Sequence, residues 1–257
     1  MTLSPLPALA DNYIWMLADE ICGTALVVDP GEAAPVLDVL EARNLQLAAI
    51  LLTHHHPDHI GGVGGLLARF PGAVAYAPAD ERIPNAHVRV QDGDRIAIES
   101  PASRFEVIAV PGHTRTHIAY HGEGLLFCGD TLFSLGCGRL FEGTPAQMLS
   151  SLDRLAALPA DTRICCGHEY TLANAAFAQR IEPLNEALRM RGEQARVLRE
   201  AGEPTLPSLL ADERAANPFL RVDVMQAPPD LLPQAAWRAD RVARFAALRA
   251  AKDGFHA

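Results

Sequence analysis

A dense group of potential metal ligands lies near the start of the chain. Four histidines and one aspartate fall within six consecutive positions, in the segment His54-His55-His56-Pro57-Asp58-His59. Imidazole nitrogens and carboxylate oxygens are the donors that zinc, iron and manganese accept in proteins. A solvated histidine tag is the alternative, but tags lie at chain ends, and this segment is internal. The segment therefore predicts a metal site.

The residues on either side indicate how this segment is positioned. An apolar run at 47–52 is typical of a buried strand, and Gly61 and Gly62 favour a sharp turn after the ligands. We therefore expect the ligands in a loop where a strand ends. Because extended chain alternates its faces, the side chain of His55 should point away from the other histidines and support them.

Three later segments repeat the arrangement, each with a ligand-type residue beside a glycine at the end of a strand-like run. They are Pro111-Gly112-His113 after 105–110, Cys128-Gly129-Asp130 after 124–127, and Cys166-Gly167-His168 after 162–165. One histidine after a strand is usually a packed or surface histidine. Four such strand ends on one chain instead predict a single site that collects all of them.

Together these residues resemble the metallo-β-lactamase superfamily, whose HxHxDH signature matches His54, His56, Asp58 and His59. The resemblance implies two divalent metal ions, with zinc favoured and iron or manganese as alternatives. The implied ligands are His54, His56 and His113 for one ion, Asp58, His59 and His168 for the other, and Asp130 as the bridge between them.

The resemblance also implies the chemistry of such a centre. A hydroxide between the two ions would be the nucleophile, with Asp58 and Asp130 as the catalytic carboxylates. Asp29, in Val27-Val28-Asp29-Pro30-Gly31, would orient a ligand histidine from behind. A turn-forming Asp-Pro-Gly is equally compatible with that segment.

Nearly the whole chain is similar, more narrowly, to the glyoxalase II family, the hydroxyacylglutathione hydrolases. The matching segments are 6–13, 136–143, 166–171, 217–221 and 248–253. The resemblance implies hydrolysis of S-D-lactoylglutathione, and of other S-2-hydroxyacylglutathiones, to a 2-hydroxy acid and glutathione, as in methylglyoxal detoxification. It makes Arg249 and Lys252 binders of the glycine carboxylate of glutathione, with Arg139 and Tyr170 as further contacts. Without the resemblance, an Arg-x-x-Lys pair is more typical of a solvated helix face.

Two positions depart from the family pattern. Phe141 stands where some relatives carry a tyrosine, so a hydroxyl contact would be absent and glutathione affinity weaker. Arg115-Thr116 departs from the common Thr-x-Gly-His pattern before His117, to which we assign no metal role.

Other functions remain as alternatives. A persulfide dioxygenase shares the fold but needs a single iron, and seven potential ligands argue against it. A lactonase or β-lactamase would have no use for Arg249 and Lys252. A structural zinc module is usually closed by four cysteine-rich ligands, which this set lacks.

Composition and charge restrict the partners. The chain has 257 residues, 49% of them hydrophobic and 21% charged, as in globular proteins. Residues 1–172 carry 10 basic and 20 acidic side chains, and residues 173–257 carry 12 basic and 11 acidic ones. The acidic first part argues against a nucleic-acid partner, because phosphate binding requires a basic face. No apolar run could span a membrane, and the N-terminus lacks the basic segment and apolar stretch of a secretory signal. The five cysteines show no CxxC. We expect a cytoplasmic monomer with no membrane partner.

Hydrophobic periodicity predicts the architecture. Before residue 172, strands alternate with helices at 34–43, 60–70 and 145–158, and after it helices dominate. Periodicity alone indicates α/β or α+β followed by helices. The resemblance implies an αββα sandwich over 1–172 and a small helical substrate-binding domain over 173–257.

The helical part has its own predicted boundaries. Leu184, Leu188, Ala195 and Leu198 indicate one helix that ends before Pro204. Ser208 is a candidate N-cap of the next helix. A final helix is predicted over 233–252, with Trp237, Val242, Phe245 and Leu248 on one packed stripe.

Overall fold

The structure, a computed structural model, describes residues 1–225 and 232–255. The chain forms two compact units. The first comprises Met1–Ala109 and Thr116–Gly129, and the second comprises Val110–Arg115 and the described residues from Asp130 onward. The predicted domain boundary near residue 172 is not a limit of either unit, and it stays a prediction.

The first unit contains a mixed sheet whose strands follow one another in sequence order. The strands are β1 (Thr2–Ala8), β2 (Asn12–Asp19), β3 (Thr24–Val28), β4 (Gln46–Leu51), β5 (Val74–Pro78) and β6 (Val88–Val90). The first three pair antiparallel and the remaining pairs are parallel. The crossovers between parallel strands carry α1 (Ala34–Ala42), α2 (Pro57–Ile60) and α3 (Val63–Arg69).

A second, antiparallel set of strands belongs to the same unit. It runs in the order β10 (Leu125–Gly129), β9 (Ile118–Gly122), β8 (Ser103–Ala109) and β7 (Arg95–Ile98). Strand β2 is buried on both faces: Ile14 and Met16 share a core with α1 and α3, while Trp15 on the other face is also buried. The hydroxyl of Tyr120 on β9 donates a 2.9 Å hydrogen bond to the carbonyl of Leu52 just after β4.

The second unit is mainly helical. Its helices are α4 (Pro145–Ala156), α5 (Thr171–Ile181), α6 (Glu186–Glu200), α7 (Leu210–Ala216), α8 (Gln234–Arg238) and α9 (Arg241–Asp253). Its short strands are β11 (Leu132–Phe133), β12 (Gly136–Cys137), β13 (Arg163–Cys166) and β14 (Ser208–Leu209). Leu135, beside the β11–β12 hairpin, packs in one core with Ala175, Ala178, Leu188 and Ala216.

Side chains from the helices fasten that hairpin. Asn217 donates to the carbonyls of Phe133 and Gly136, both at 3.0 Å, and Glu213 accepts from the backbone N–H of Leu135 at 2.8 Å. Each bond satisfies a buried backbone group of the turn, so these side chains stabilise the hairpin. The segment 217–221, noted for its family resemblance, thus packs against the segment 136–143.

Most predicted elements are confirmed. Each predicted ligand-bearing strand exists: β4, β8, β10 and β13 end next to the candidate ligands. The mixed α/β part and the helical C-terminal region are confirmed as well. Among the described residues, no helix has both the length and the apolarity needed to cross a membrane.

The prediction that Ser208 caps a helix is wrong. Ser208 pairs with Ile164 as part of β14, and α7 begins after Leu209 without a side-chain cap. The backbone there is recruited into a strand pair by β13, a partner remote in sequence. Leu184 also differs from the predicted stripe, because it is 96% exposed and precedes the true N-cap, Asn185.

The single final helix predicted over 233–252 is also wrong. Helix α8 ends at Arg238, and α9 begins after Asp240, whose side chain accepts a hydrogen bond from the N–H of Ala243. An aspartate that caps a helix satisfies a backbone donor only if the helix starts there. Of the predicted stripe, Phe245 and Leu248 are buried, whereas Val242 is 38% exposed.

Candidate metal centre and substrate-binding residues

Asp29 organises the loop that follows β4. Its carboxylate accepts hydrogen bonds from the N–H and the hydroxyl of Thr53, at 2.8 and 2.7 Å, and from Nδ1 of His59 at 3.0 Å. Asp29 has a φ of 51°, in the left-handed region that aspartate tolerates better than most residues. Asp29 thus lies in a turn and also contacts His59, so the two interpretations of this residue are compatible.

These bonds determine which nitrogen of two histidines carries a lone pair. Because the Thr53 hydroxyl donates to Asp29, it accepts from Nδ1 of His54 at 3.0 Å, so the lone pair of neutral His54 lies on Nε2. That Nε2 lies 3.1 Å from Nδ1 of His56. His59 likewise donates through Nδ1 to Asp29, and its Nε2 lies 3.5 Å from Oδ2 of Asp58.

Glycines allow the chain to approach itself around these ligands. A Cβ on Gly31 would lie 2.0 Å from the carbonyl oxygen of Asp58, and one on Gly61 would lie 2.5 Å from the carbonyl oxygen of Gly31. No other residue fits either position without moving the backbone. The side-chain amide of Asn12 completes this part, donating to Oδ2 of Asp58 at 3.0 Å.

The second unit holds the remaining candidate ligands around Asp130. Nδ1 of His113 donates to the carbonyl of Arg139 at 2.9 Å, so its lone pair lies on Nε2, which is 3.4 Å from Oδ2 of Asp130. Nε2 of His168 lies 3.3 Å from the same oxygen. A Cβ on Gly138 would lie 1.9 Å from the carbonyl oxygen of Asp130, so glycine is required there.

Aromatic rings enclose these two histidines. The ring of Tyr170 stacks on His168, with centroids 4.7 Å apart and planes 3° apart. The ring of Phe141 meets His113 edge-on at 5.2 Å, and its side chain is 63% exposed. Tyr170 and Phe141 therefore flank the candidate ligands of this unit.

The candidate ligands in each unit suit divalent metal ions. In metal sites, a ligand histidine usually donates one ring N–H to a carboxylate or carbonyl, which aims its other nitrogen at the ion. His59 and His113 show this pairing, and His54 shows it through a hydroxyl. The donor chemistry therefore fits hard or borderline cations rather than a cysteine-ligated structural zinc.

Arg249 and Lys252 lie on α9, but their environments differ. Arg249 is buried, and its guanidinium donates to the carbonyl of Cys137 at 2.7 Å and to Oδ1 of Asp253 at 3.0 Å. Lys252 donates to the carbonyl of Ala173 at 3.2 Å. The side chain of Arg139 is 66% exposed, with its Nε 3.7 Å from Asp253. Asp253 is thus shared by the two arginines.

Burial and neighbouring charge affect two titratable groups in this region. Partial burial, together with the positive charges of Arg249 and Arg139, lowers the pKa of Lys252 to about 8. Burial raises the pKa of the Cys137 thiol to about 11, although Arg249 opposes the shift. Lys252 therefore loses its charge only slightly above neutral pH, and Cys137 stays a thiol.

Sequence reasoning assigned no role to two polar residues of the first unit, Asp80 and Thr116. Asp80 is buried, and the Arg82 side chain that donates to it holds the pKa of Asp80 well below its usual range. The hydroxyl of Thr116 donates to the same carboxylate at 2.6 Å. The only sequence signal was the unusual Thr116 before His117. Asp80 itself carried none.

Comparison with known proteins defines the class. Residues 11–168 match the family described as Metallo-beta-lactamase superfamily, and residues 169–255 match Hydroxyacylglutathione hydrolase C-terminus. The crystal structure of ETHE1 from Myxococcus xanthus superposes with a TM-score of 0.64 at 26% identity, covering 95% of this chain and 100% of that one. TTHA1623 in a di-iron-bound form gives a TM-score of 0.54 at 28% identity, covering 65% of this chain and 92% of that one.

The fold and the donor sets thus define a hydrolase of the metallo-β-lactamase fold, and the predicted fold class is confirmed. A hydroxyacylglutathione hydrolase of Xanthomonas campestris pv. campestris (strain B100) is 52% identical over 262 residues, covering 100% of both chains. The chain belongs to the hydroxyacylglutathione hydrolase family. The alternative functions within the superfamily are not favoured, because this identity extends through the C-terminal helices.

Proposed function

We propose that this protein hydrolyses the thioester bond of S-D-lactoylglutathione and of other S-2-hydroxyacylglutathiones, releasing a 2-hydroxy acid and glutathione. The observation that carries the proposal is full-length similarity to relatives of that name, including the specific C-terminal region. The reaction would complete the detoxification of methylglyoxal.

The proposed site is a binuclear metal centre. His54, His56 and His113 would hold one divalent ion, Asp58, His59 and His168 the other, and Asp130 would bridge them. Zinc is the favoured ion, and the di-iron form of TTHA1623 supports iron as an alternative. Such ions would supply an activated water and polarise the thioester carbonyl.

The protein side chains leave the nucleophilic role to that water. Cys128, Cys137, Cys165 and Cys166 are buried, and burial raises the pKa of both Cys137 and Cys165. Neither Cys137 nor Cys165 is therefore a reactive thiolate at neutral pH. The departing glutathione thiol has an ordinary pKa of about 8.5, so it leaves as a thiolate with little protonation.

Substrate recognition is assigned to the cationic end of α9 and its surroundings. Arg249 and Lys252 are the proposed contacts of the glycine carboxylate of glutathione, with Arg139 and Tyr170 as further contacts. In the free protein, however, the guanidinium of Arg249 is bound to Cys137 and Asp253, so a substrate carboxylate would compete with Asp253 for it.

We also propose that the protein acts as a cytoplasmic monomer. The five cysteines, none of which is in a disulfide, support a reducing compartment. Sedimentation equilibrium of the purified protein tests this proposal, because a monomer gives the mass of one chain and a dimer gives twice that mass.

Hydrolysis of S-D-lactoylglutathione by metal-replete protein is the decisive experiment. We expect turnover that falls by about 100-fold or more in Asp130→Asn, because a neutral amide would replace the carboxylate proposed to bind both ions. Lys252→Met should raise KM, whereas Arg189→Met, which removes an exposed cation on α6, should not. Rapid cleavage of a lactone with no cleavage of this thioester would refute the proposal.

A further inference from the structure

The buried carboxylate of Asp80 contacts three separate segments of the first unit. Asp80 follows β5, and its side chain is only 4% exposed. It accepts from Nε and Nη2 of Arg82 at 2.8 and 2.7 Å, and from the hydroxyl of Thr116 at 2.6 Å. Nδ1 of His55 lies 3.7 Å from the same Oδ2 that Thr116 contacts.

Two routes lead from this carboxylate to His54. The first goes through His55, the neighbour of His54 in the chain, which faces Asp80 as the alternation of extended chain predicts. The second goes through Thr116 to the adjacent His117, whose ring stacks on His54 with centroids 4.5 Å apart and planes 19° apart. Asp80 is therefore linked to the segment of His54 through the 3.7 Å contact with His55, and to one face of the His54 ring through Thr116 and His117.

The His117 ring has little room to move away from His54. A Cβ on Gly129 would already lie 2.9 Å from Cε1 of His117. Nδ1 of His117 bonds to the carbonyl of Ile118 at 3.0 Å, and the N–H of Ile118 donates to the carbonyl of Thr53 at 3.0 Å. The segment from Thr116 to Ile118 is therefore held against His54 by the stacked His117 ring and against Thr53 by the backbone bond of Ile118.

We propose that Asp80 and Thr116 are positioning residues that hold His54 in the orientation required to bind a metal ion. The inference rests on the proposed metal centre and adds residues that the ligand motif does not include. Thr116 provides the hydroxyl that donates to Asp80, and His117, the next residue, provides the ring that stacks on His54.

The test measures metal affinity rather than turnover. Wild type, Thr116→Val, Thr116→Ser and Asp80→Asn are loaded with Co²⁺, and metal release is followed by chelator competition and by the visible Co²⁺ spectrum. Thr24→Val is the matched control, since it removes another short hydroxyl bond of the same unit, that between Thr24 and Ser100 at 2.7 Å.

We expect Thr116→Val to weaken the affinity for one ion per chain by about 3- to 10-fold and Asp80→Asn by about 10-fold or more, as for residues that orient a ligand. Thr116→Ser should retain wild-type affinity, and Thr24→Val should not change it. The Co²⁺ spectrum should change in the Val variant and be restored in the Ser variant.

Equal metal release by wild type and Thr116→Val would overturn the proposal, even if Asp80→Asn failed to fold. Equal weakening in Thr116→Val and Thr24→Val would also overturn it, because the effect would then be general destabilisation. A wild-type protein that binds metal but does not cleave the thioester would instead contradict the proposed function alone.

Discussion

The imidazole of His113 donates its Nδ1 proton to the backbone carbonyl of Arg139, at 2.9 Å. One residue thus orients a proposed metal ligand with its main chain while its exposed side chain extends towards Asp253 on α9. The two roles are separable, because a side-chain substitution leaves the carbonyl in place.

Arg139→Met should therefore affect substrate binding only. We expect KM for S-D-lactoylglutathione to rise by about 3- to 10-fold, in line with one lost charge-assisted contact of about 1 kcal/mol, while metal content stays at the wild-type level. Steady-state kinetics and metal analysis on the same preparation check this. Loss of metal in this variant would show that the side chain, and not only the carbonyl, supports His113.

Asp29→Asn should weaken metal binding without disturbing the turn. Asparagine tolerates the positive φ of this position as well as aspartate does, but its amide cannot accept all three hydrogen bonds from Thr53 and His59. We expect metal affinity to fall by about 10- to 100-fold, as for other residues that orient a ligand. Chelator competition measures the loss. Unchanged affinity would mean that Asp29 serves the turn alone.

Lys252 should confer a pH dependence on substrate binding. Its pKa is lowered to about 8, so the cation is fully present below that pH and is lost as the pH rises through it. We expect KM for the anionic substrate to increase above about pH 8, and Lys252→Met to remove this increase. If KM rises equally with pH in wild type and in Lys252→Met, the pH dependence does not come from Lys252.

The same shift predicts a change of stability with pH. Because the folded-state pKa is below the ordinary value of 10.5, the unfolded chain binds more protons between about pH 8 and 10.5, and stability rises with pH across that window. Urea unfolding at several pH values should show a smaller rise in Lys252→Met than in wild type.

Arg249→Met should destabilise the second unit. The guanidinium is buried and bonds to the carbonyl of Cys137 and to Asp253, so we expect a loss of about 2–3 kcal/mol in the free energy of unfolding. Arg189→Met, on the exposed face of α6, should change it by less than about 0.5 kcal/mol. Urea unfolding compares the two. Equal stability of both variants would mean that Arg249 is available for substrate alone.

Phe141→Tyr should strengthen substrate binding. Phe141 is exposed and lies beside His113, and a tyrosine there would add a hydroxyl. One added hydrogen bond contributes about 0.5–1.5 kcal/mol, so we expect KM to fall by about 2- to 10-fold with kcat nearly unchanged. A kinetic comparison in which KM does not fall would show that the hydroxyl finds no partner on the substrate.

Local patterns in the chain predicted a large part of this protein. Hydrophobic runs placed strands directly before the ligands, and β4, β8, β10 and β13 confirm them. The patterns failed at Ser208 and at the break between α8 and α9. There the outcome depends on whether a strand partner or a capping carboxylate competes for the same backbone, and neither propensity nor periodicity measures that competition.

The sequence by itself determined the mixture of strands and helices, the donor types and the strand ends that carry them, because these properties follow from residue identity and short-range spacing, whereas the αββα sandwich was implied by the family resemblance. Only the tertiary structure decided which ring nitrogen of His54, His59 and His113 holds the lone pair, since the deciding acceptors, the Asp29 carboxylate and the Arg139 carbonyl, are remote in sequence. It also decided that Arg249 is buried and that Asp80 faces His55. Burial and hydrogen-bond partnership depend on segments that meet only when the chain has folded.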